Sequence, residues 1–242
     1  MELIQVSDRV WYSMYEEERD RPILGYVRGD RWSLAVDAGH SDAHVKGFYE
    51  ALEKEGLPLP SVTVLTHWHW DHTFGMHAIH GLSIANKVTS RYLRDAAERI
   101  RTEGTDWFFA IGDSTCKEYA DGRPVIVTPP DMEYEGEMIL DPGNVPVRIF
   151  QAESPHTDDS TLVHVPGEKV LFVGDAVCGD FPSWNVDPDR MRSLIQTIEN
   201  TDADYCLNGH WISQTKQEVL QDMREYGITI VGLHNRGQTP FM

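Results

Sequence analysis

The sequence predicts an α/β domain built as a two-sheet sandwich flanked by helices. Three observations predict it. Short apolar runs of strand character recur along the chain, separated by stretches of helical periodicity. The two halves repeat one order: strands, then a loop bearing His or Asp, then a helix. The 242 residues are 40% hydrophobic and 25% charged, which suits one soluble domain over 1–242 with a substantial core.

Residues 3–15 alternate and carry Val, Ile, Trp and Tyr, the pattern of a strand, and a charged turn over 16–20 closes at Pro22. Residues 23–27 and 32–36 read as a hairpin about Arg28-Gly29-Asp30. The second of these runs ends in Asp37-Ala38-Gly39; a carboxylate and a permissive glycine at a strand end aim a side chain into a cleft. Ser41 or Asp42 caps a helix to about Glu55 with Val45, Phe48, Tyr49 and Leu52 on one face, ended by Gly56 and Pro58. Residues 62–65, apolar apart from Thr63, read as a strand covered on both faces. A short helix is expected around 75–77, a buried strand at 83–85 and an amphipathic helix at 90–101. Residues 104–124 carry Trp107, Phe108, Phe109 and Tyr119 between glycines, which suits a lid, a packed helix or the surface of a homodimer. Strands are expected at 125–127, 138–140, 145–150, 161–165, 170–173 and 203–207, with a tight turn at 166–168. Helices are expected from Asp187-Pro188-Asp189 to about Ile198 and from Ser213 to about Tyr226.

The run over 62–65 delivers the densest chemistry in the chain, Thr66-His67-Trp68-His69-Trp70-Asp71-His72. In an extended segment residues i and i+2 point the same way, so His67 and His69 converge; the chain then turns and brings Asp71 and His72 in from another angle. Imidazole and carboxylate are ligands for Zn²⁺ and similar ions, and four of them can help hold two adjacent ions. From the chain's own composition such a pattern arises by chance in roughly two of a thousand chains. Three more polar points follow buried strands: His156 in Ser154-Pro155-His156-Thr157-Asp158-Asp159, Asp175 after Gly174, and His210 after Asn208-Gly209. Each alone suits a turn or a cap; together with the histidine cluster they point to one site.

Composition narrows the partners. Net charge is −18, with 21 scattered Lys and Arg against 39 Asp and Glu, which disfavours nucleic acid and anionic membrane surfaces and favours a small-molecule substrate. No apolar run reaches the length of a membrane span, and the first residues enter a strand pattern without a signal-peptide profile. Cys116, Cys178 and Cys206 have no framework spacing, so a reducing, cytoplasmic setting is expected. Cys206 reads as core; Cys178 packs or lines the site.

With these residues in place, the sequence from Asp37 to His210 resembles the metallo-β-lactamase superfamily, whose hallmark matches His67-x-His69-x-Asp71-His72. The resemblance implies an αββα four-layer sandwich with two metal ions at one edge. It implies that His67, His69 and His156 hold the first ion, that Asp71, His72 and His210 hold the second, that Asp175 bridges both, and that Asp37 supports the cluster from behind. The classical zinc β-lactamases carry cysteine where this chain has Asp175, so the resemblance runs instead to the glyoxalase-II, lactonase and RNase Z branches, and β-lactam hydrolysis is disfavoured. The glyoxalase-II type adds a C-terminal helical domain, while this chain ends 32 residues after His210; the RNase Z type carries basic surface; the lactonase type often has a Tyr after the bridging Asp, where this loop has Phe181 and Trp184.

Two adjacent divalent ions share a water and lower its pKa towards neutrality. The expected activity is therefore hydrolysis, with a bridging hydroxide attacking the carbonyl of a small ester, lactone or thioester and Asp71 as the catalytic residue that orients it. Two Zn²⁺ are the expected cofactors, with Mn or Fe as alternatives at the Asp-rich half. Phosphodiester or phosphonate hydrolysis on the same site, and iron-dependent persulfide or O₂ chemistry, are the alternative activities. Trp68, Trp70, Phe181, Trp184 and Trp211 are the candidate walls of the cleft.

Overall fold

Two mixed β-sheets face each other across one apolar layer, with helices against both outer faces. The computed structural model describes the backbone through His234 and side chains through Glu225. The first sheet runs in chain order, from β1 (Leu3–Gln5), β2 (Val10–Ser13), β3 (Gly25–Arg28) and β4 (Ser33–Val36) to β5 (Val62–Val64), β6 (Leu82–Asn86) and β7 (Met132–Tyr134). β1 to β4 pair antiparallel; β4 to β7 pair parallel. The second sheet has the order β13-β12-β11-β10-β9-β8, from β8 (Glu137–Leu140), β9 (Val147–Gln151), β10 (Thr161–Val165), β11 (Val170–Gly174), β12 (Tyr205–Asn208) and β13 (Gln214–Thr215).

The period-2 alternation of the strands divides the core into layers. In β4, Leu34 and Val36 join the layer between the sheets, while Ala35 faces α1 (Asp42–Lys54) with Phe48 and Leu52. In β11, Val170 and Phe172 face the other sheet, while Leu171 and Val173 pack against Leu194 and Ile198 of α6 (Pro188–Asn200) and Val219 and Met223 of α7 (Lys216–His234). A strand covered on both faces has no polar face to show, which is why these runs are apolar apart from Ser33, whose hydroxyl is satisfied by Tyr26. Among the described residues no helix is long and apolar enough to cross a membrane.

Helix starts follow their caps. The Ser41 hydroxyl accepts from the His44 N–H, and the Asp187 side chain accepts from the N–H groups of Asp189 and Arg190. Asn86 accepts from Val88 and Thr89 and starts α3 (Lys87–Glu103) three residues before the expected position.

Several expectations are corrected. The pattern over 3–15 divides into β1 and β2 about a turn at Ser7 and Asp8. Residues 125–127 are not a strand; the edge of the sheet is β7, where Tyr134 faces inward and the rest is exposed, so no apolar run announces it. Ser213 does not start a helix; β13 at Gln214–Thr215 precedes α7. Residues 104–124 form two short helices, α4 (Asp106–Phe109) and α5 (Asp113–Glu118), whose Phe108 and Tyr119 are buried against Phe74 and Trp70. This segment is packed cover. Trp70 belongs to that core, 6% exposed, with its indole N–H donating to Asp20 Oδ2 at 3.3 Å, so it does not line a cleft as expected.

Parallel pairing places the site. β4 and β5 run parallel, as do β11 and β12, so each pair ends at one edge of its sheet. Backbone hydrogen bonds join the two edges, from Thr161 N–H to Thr66 C=O at 2.7 Å and from Ile23 N–H to Gly209 C=O at 2.7 Å. Asp37, Thr66, Asp175 and Gly209 all lie just past strand ends at this seam.

Candidate metal centre

The seven predicted side chains meet at the seam in two groups. His67, His69 and His156 each offer one ring nitrogen, all within 4.8 Å of one another; Asp71, His72, Asp175 and His210 do the same with one ligand atom each. Asp175 reaches both groups. Its Oδ2 lies 3.4 Å from His210 Nε2 and 4.0 Å from His156 Nε2, and its Oδ1 lies 3.5 Å from His72 Nε2. Asp71 Oδ2 is 2.9 Å from His210 Nε2 and 3.2 Å from His72 Nε2. Gly209 makes room for this approach, since a Cβ there would stand 2.1 Å from Asp175 Oδ1 and 2.8 Å from the His72 ring.

Supporting groups fix which nitrogen of each ring is free. The Gly179 carbonyl can only accept, so His156 Nδ1 carries the proton in their 2.7 Å hydrogen bond and Nε2 keeps its lone pair. Asp37 holds a positive φ of 67° at the end of β4. Its carboxylate accepts from the Thr66 N–H at 2.7 Å, from the Thr66 hydroxyl at 2.8 Å and from His72 Nδ1 at 2.8 Å. The Thr66 hydroxyl has one proton, and Asp37 takes it. The hydroxyl oxygen therefore accepts from His67 Nδ1 at 3.1 Å, which leaves His67 Nε2 as a bare lone pair. One carboxylate and one hydroxyl thus orient a histidine in each group.

The electrostatics of the two groups differ. Burial pushes His67 well below the ordinary imidazole value, and the neighbouring histidines add to the effect. His69 is lowered to about 3, by burial first and by His156 second. In the second group burial also opposes charge, but Asp71 and Asp175 outweigh it and raise His72 and His210 well above the ordinary value. Asp71 and Asp175 are correspondingly held well below the carboxylate range by His72 and His210, against the effect of burial.

These residues fit divalent metal ions. His67 Nε2, His72 Nε2 and Asp175 Oδ1 are buried and have no hydrogen-bond partner. An unpaired buried polar atom costs about 1–3 kcal/mol, and a cation in each group would satisfy His67 Nε2 on one side and His72 Nε2 with Asp175 Oδ1 on the other. His156 Nε2 also sits 3.0 Å from His69 Nδ1, a close approach of two nitrogens that one ion can satisfy.

Two clefts flank the centre. His69 and His156 form the floor of a cavity of about 590 Å³ walled by Trp68, Tyr92 and Phe181, with Asp158 and Asp180 at its rim. On the far side His210 opens onto a more apolar cavity of about 420 Å³ that includes Trp184, Trp211, Cys178 and Met223. Trp184 and Trp211 are about half exposed, and Trp211 stacks on Tyr15 at 6.4 Å. Cys206 is buried in the core under α6, as expected.

Three groups were not foreseen. Asp20, in the charged turn, has its Oδ1 4.0 Å from His210 Nδ1, and burial together with the Asp71 charge pushes it up to about 6. Nothing in its local sequence separates it from Glu16, Glu17 and Glu18. Thr66 directly precedes the cluster, and its adjacency to His67 was the available signal. Tyr92 lies on α3, and its hydroxyl donates to Asp158 Oδ1 at 2.9 Å. Asp159 is structural: it is buried, accepts from the Thr157 and Thr89 hydroxyls, and is pushed up to about 6 by burial.

Known proteins agree with this arrangement at the level of the fold. The family described as the metallo-beta-lactamase superfamily matches residues 26–210. The crystal structure of the DIM-1 metallo-beta-lactamase is 19% identical, with a TM-score of 0.67 over 95% of this chain and 98% of that one. A metallo-beta-lactamase from Pontibacter korlensis is 16% identical, with a TM-score of 0.63 over 92% of this chain and 98% of that one. A double mutant of the sec-alkyl sulfatase PisA1 is 15% identical, with a TM-score of 0.69 over 98% of this chain and 44% of that one. A search of curated proteins gave no match.

Proposed function

This chain belongs to the metallo-beta-lactamase superfamily, and from that premise we propose that it is a dinuclear metal-dependent hydrolase acting on the carbonyl of a small ester, lactone or thioester. The observation that carries the reading is the convergence of seven His and Asp side chains in two potential ligand groups, the first of which has His67 Nε2 buried with no hydrogen-bond partner. His67, His69 and His156 would hold one ion and Asp71, His72 and His210 the other, with Asp175 shared between them. Zinc suits the three-imidazole half; manganese or iron is the alternative for the half richer in oxygen donors. When bound, such a pair supplies an activated water and a Lewis acid for the electrophile's oxygen.

The chain's own residues do the rest. Asp71 stands between His72 and His210, so its carboxylate is placed to orient a water held at the site. Trp68 and Phe181 flank His69 with apolar surface. Carboxylates at the rim of that cleft disfavour a phosphodiester, and the aspartate at 175 separates the site from the cysteine-bearing β-lactamases.

The test is a hydrolysis panel on protein of measured metal content. Two equivalents of metal and turnover of p-nitrophenyl acetate or a simple lactone, well above that of bis-p-nitrophenyl phosphate, are expected. One equivalent at saturation, or preference for the phosphodiester, rejects the reading; redox-active iron without hydrolysis favours an oxidoreductase instead.

A further inference from the structure

The cleft beside the three histidines has an unusual wall for a site built around cations. Its volume of about 590 Å³ suits a small molecule. Trp68 and Tyr92 lie with ring centroids 5.5 Å apart on one side, and Phe181 meets His69 at 6.1 Å on the other. Asp158, Asp180 and Asp187 line the same space against one cation, Arg190.

These charges are not equivalent. Asp187 caps α6, and the N–H groups of Arg190 and Asp189, followed by the Arg190 charge, hold its carboxyl below the ordinary value. Among the described residues the Asp158 carboxylate accepts one hydrogen bond, from the Tyr92 hydroxyl. Asp180 uses its backbone for the loop, donating to Asn185 C=O at 2.8 Å and accepting from the Ser183 hydroxyl at 3.2 Å; its carboxylate pairs with no cation among the described residues. Arg91 already covers the Tyr92 ring at 4.9 Å, which leaves Trp68 and Phe181 as the lining rings with no cation over them among the described residues. Aromatic faces with carboxylates nearby select an ammonium group, since the ring quadrupole and the acid both attract positive charge while water is displaced. The cavity on the His210 side has the opposite character, with Trp184, Trp211, Val177 and Met223.

We propose that the substrate is a cation-bearing carbonyl compound. An ammonium-type group lies in the Trp68–Phe181 cleft beside Asp158 and Asp180, and the apolar part lies in the cavity beside His210. The scissile bond then lies between the two, over the metal ligands. This rests on the hydrolase reading for the reaction, while the ligand chemistry stands on the cleft alone.

The experiment has two arms, both on metal-loaded protein. Three p-nitrophenyl esters of matched shape are compared: 4-trimethylammoniobutyrate, its neutral isostere 5,5-dimethylhexanoate, and the anionic glutarate. The cationic ester is expected to exceed the neutral one roughly tenfold in kcat/KM, with glutarate lowest. In the Asp158→Asn, Asp180→Asn double variant the cationic ester should fall to the neutral ester's value, and Arg190→Ala should widen the preference in the parent. In the second arm, calorimetry should show saturable binding of benzyltrimethylammonium, absent for benzylsulfonate and weakened at least about fivefold in the double variant. Equal kcat/KM for the three esters, or preference for glutarate, overturns the proposal and leaves the hydrolase standing. Cation binding that depends on the two aspartates, with no ester turned over, upholds the ligand class and overturns the hydrolase.

Discussion

The two halves of the metal centre use nearly the same ligand types but solve different electrostatic problems. Burial holds His67 and His69 neutral, and the group they form with His156 has no counter-charge of its own. Asp71, His72, Asp175 and His210 form a set of acids and bases that can neutralise itself, with contacts of 2.9–3.5 Å between opposite charges. The first half is incomplete without a cation. The second can hold protons in place of one. A single sequence run supplies members of both, because the chain passes from extended backbone at His67–His69 into the helical turn α2 (Trp70–Thr73), which carries Asp71 and His72 to the other side.

The sharpest way to break this division is at Asp71. If its carboxylate orients water, Asp71→Asn should lower kcat by roughly 10²–10⁴ while the protein stays folded and the three-histidine site stays loaded. Metal analysis beside steady-state kinetics checks this. Unchanged turnover would remove Asp71 from the chemistry and reduce the second half to a structural one.

A middle-sized effect is expected where the halves are joined. Thr66 orients His67 through its hydroxyl oxygen, and Asp37 orients His72. Both act through another residue, so they are positioning groups. Thr66→Val keeps the shape and the Thr66 N–H bond to Asp37 but removes the acceptor for His67 Nδ1. Affinity for the ion at the three-histidine half should fall about 10–100-fold, with the second ion affected less. Asp37→Asn should reverse that order. Stepwise titration with a chromophoric chelator resolves the two ions; equal losses at both in each variant would show that the Thr66–Asp37 pair acts as one unit.

The contrast also explains what was legible in the sequence. Ligands packed into His67–His72 are visible because spacing alone places them, and His156, Asp175 and His210 are visible because each follows a strand, the one before Asp175 buried throughout. Residues that act from elsewhere in the fold leave no such mark. Asp20 reaches His210 only because its turn folds under Trp70, and Tyr92 reaches Asp158 only because α3 crosses the loop. Trp70 shows the converse. It sits between two ligands in sequence, but one step along the helical turn rotates its indole into the Phe74–Phe108 core while Trp68 stays at the cleft. β7 was missed because an edge strand with one inward residue has no periodicity to read.

The smallest expected effect is on the metal-free protein, where the halves should respond to pH in opposite senses. Burial lowers His67 and His69, the latter to about 3, so below the ordinary imidazole value of 6.5 the unfolded chain binds protons there that the folded chain refuses. Stability is then lost as pH falls from about 6.5 towards 3. His72 and His210 are raised by Asp71 and Asp175 despite burial, so the folded chain keeps protons that the unfolded one releases. Their contribution is complete below about 6.5 and is lost as pH rises beyond it. The lowered Asp71 and Asp175 add stability that is lost only below the carboxylate range. Chelator-treated protein should therefore melt highest near pH 6.5 and lower on either side, by about 2–4 °C for each kcal/mol lost. His69→Gln should flatten the acid limb and His210→Gln the alkaline limb, as read by scanning calorimetry between pH 5 and 9. If either variant flattened both limbs equally, the two halves would be one titrating unit, and their separation into a neutral and a self-compensating set would fail.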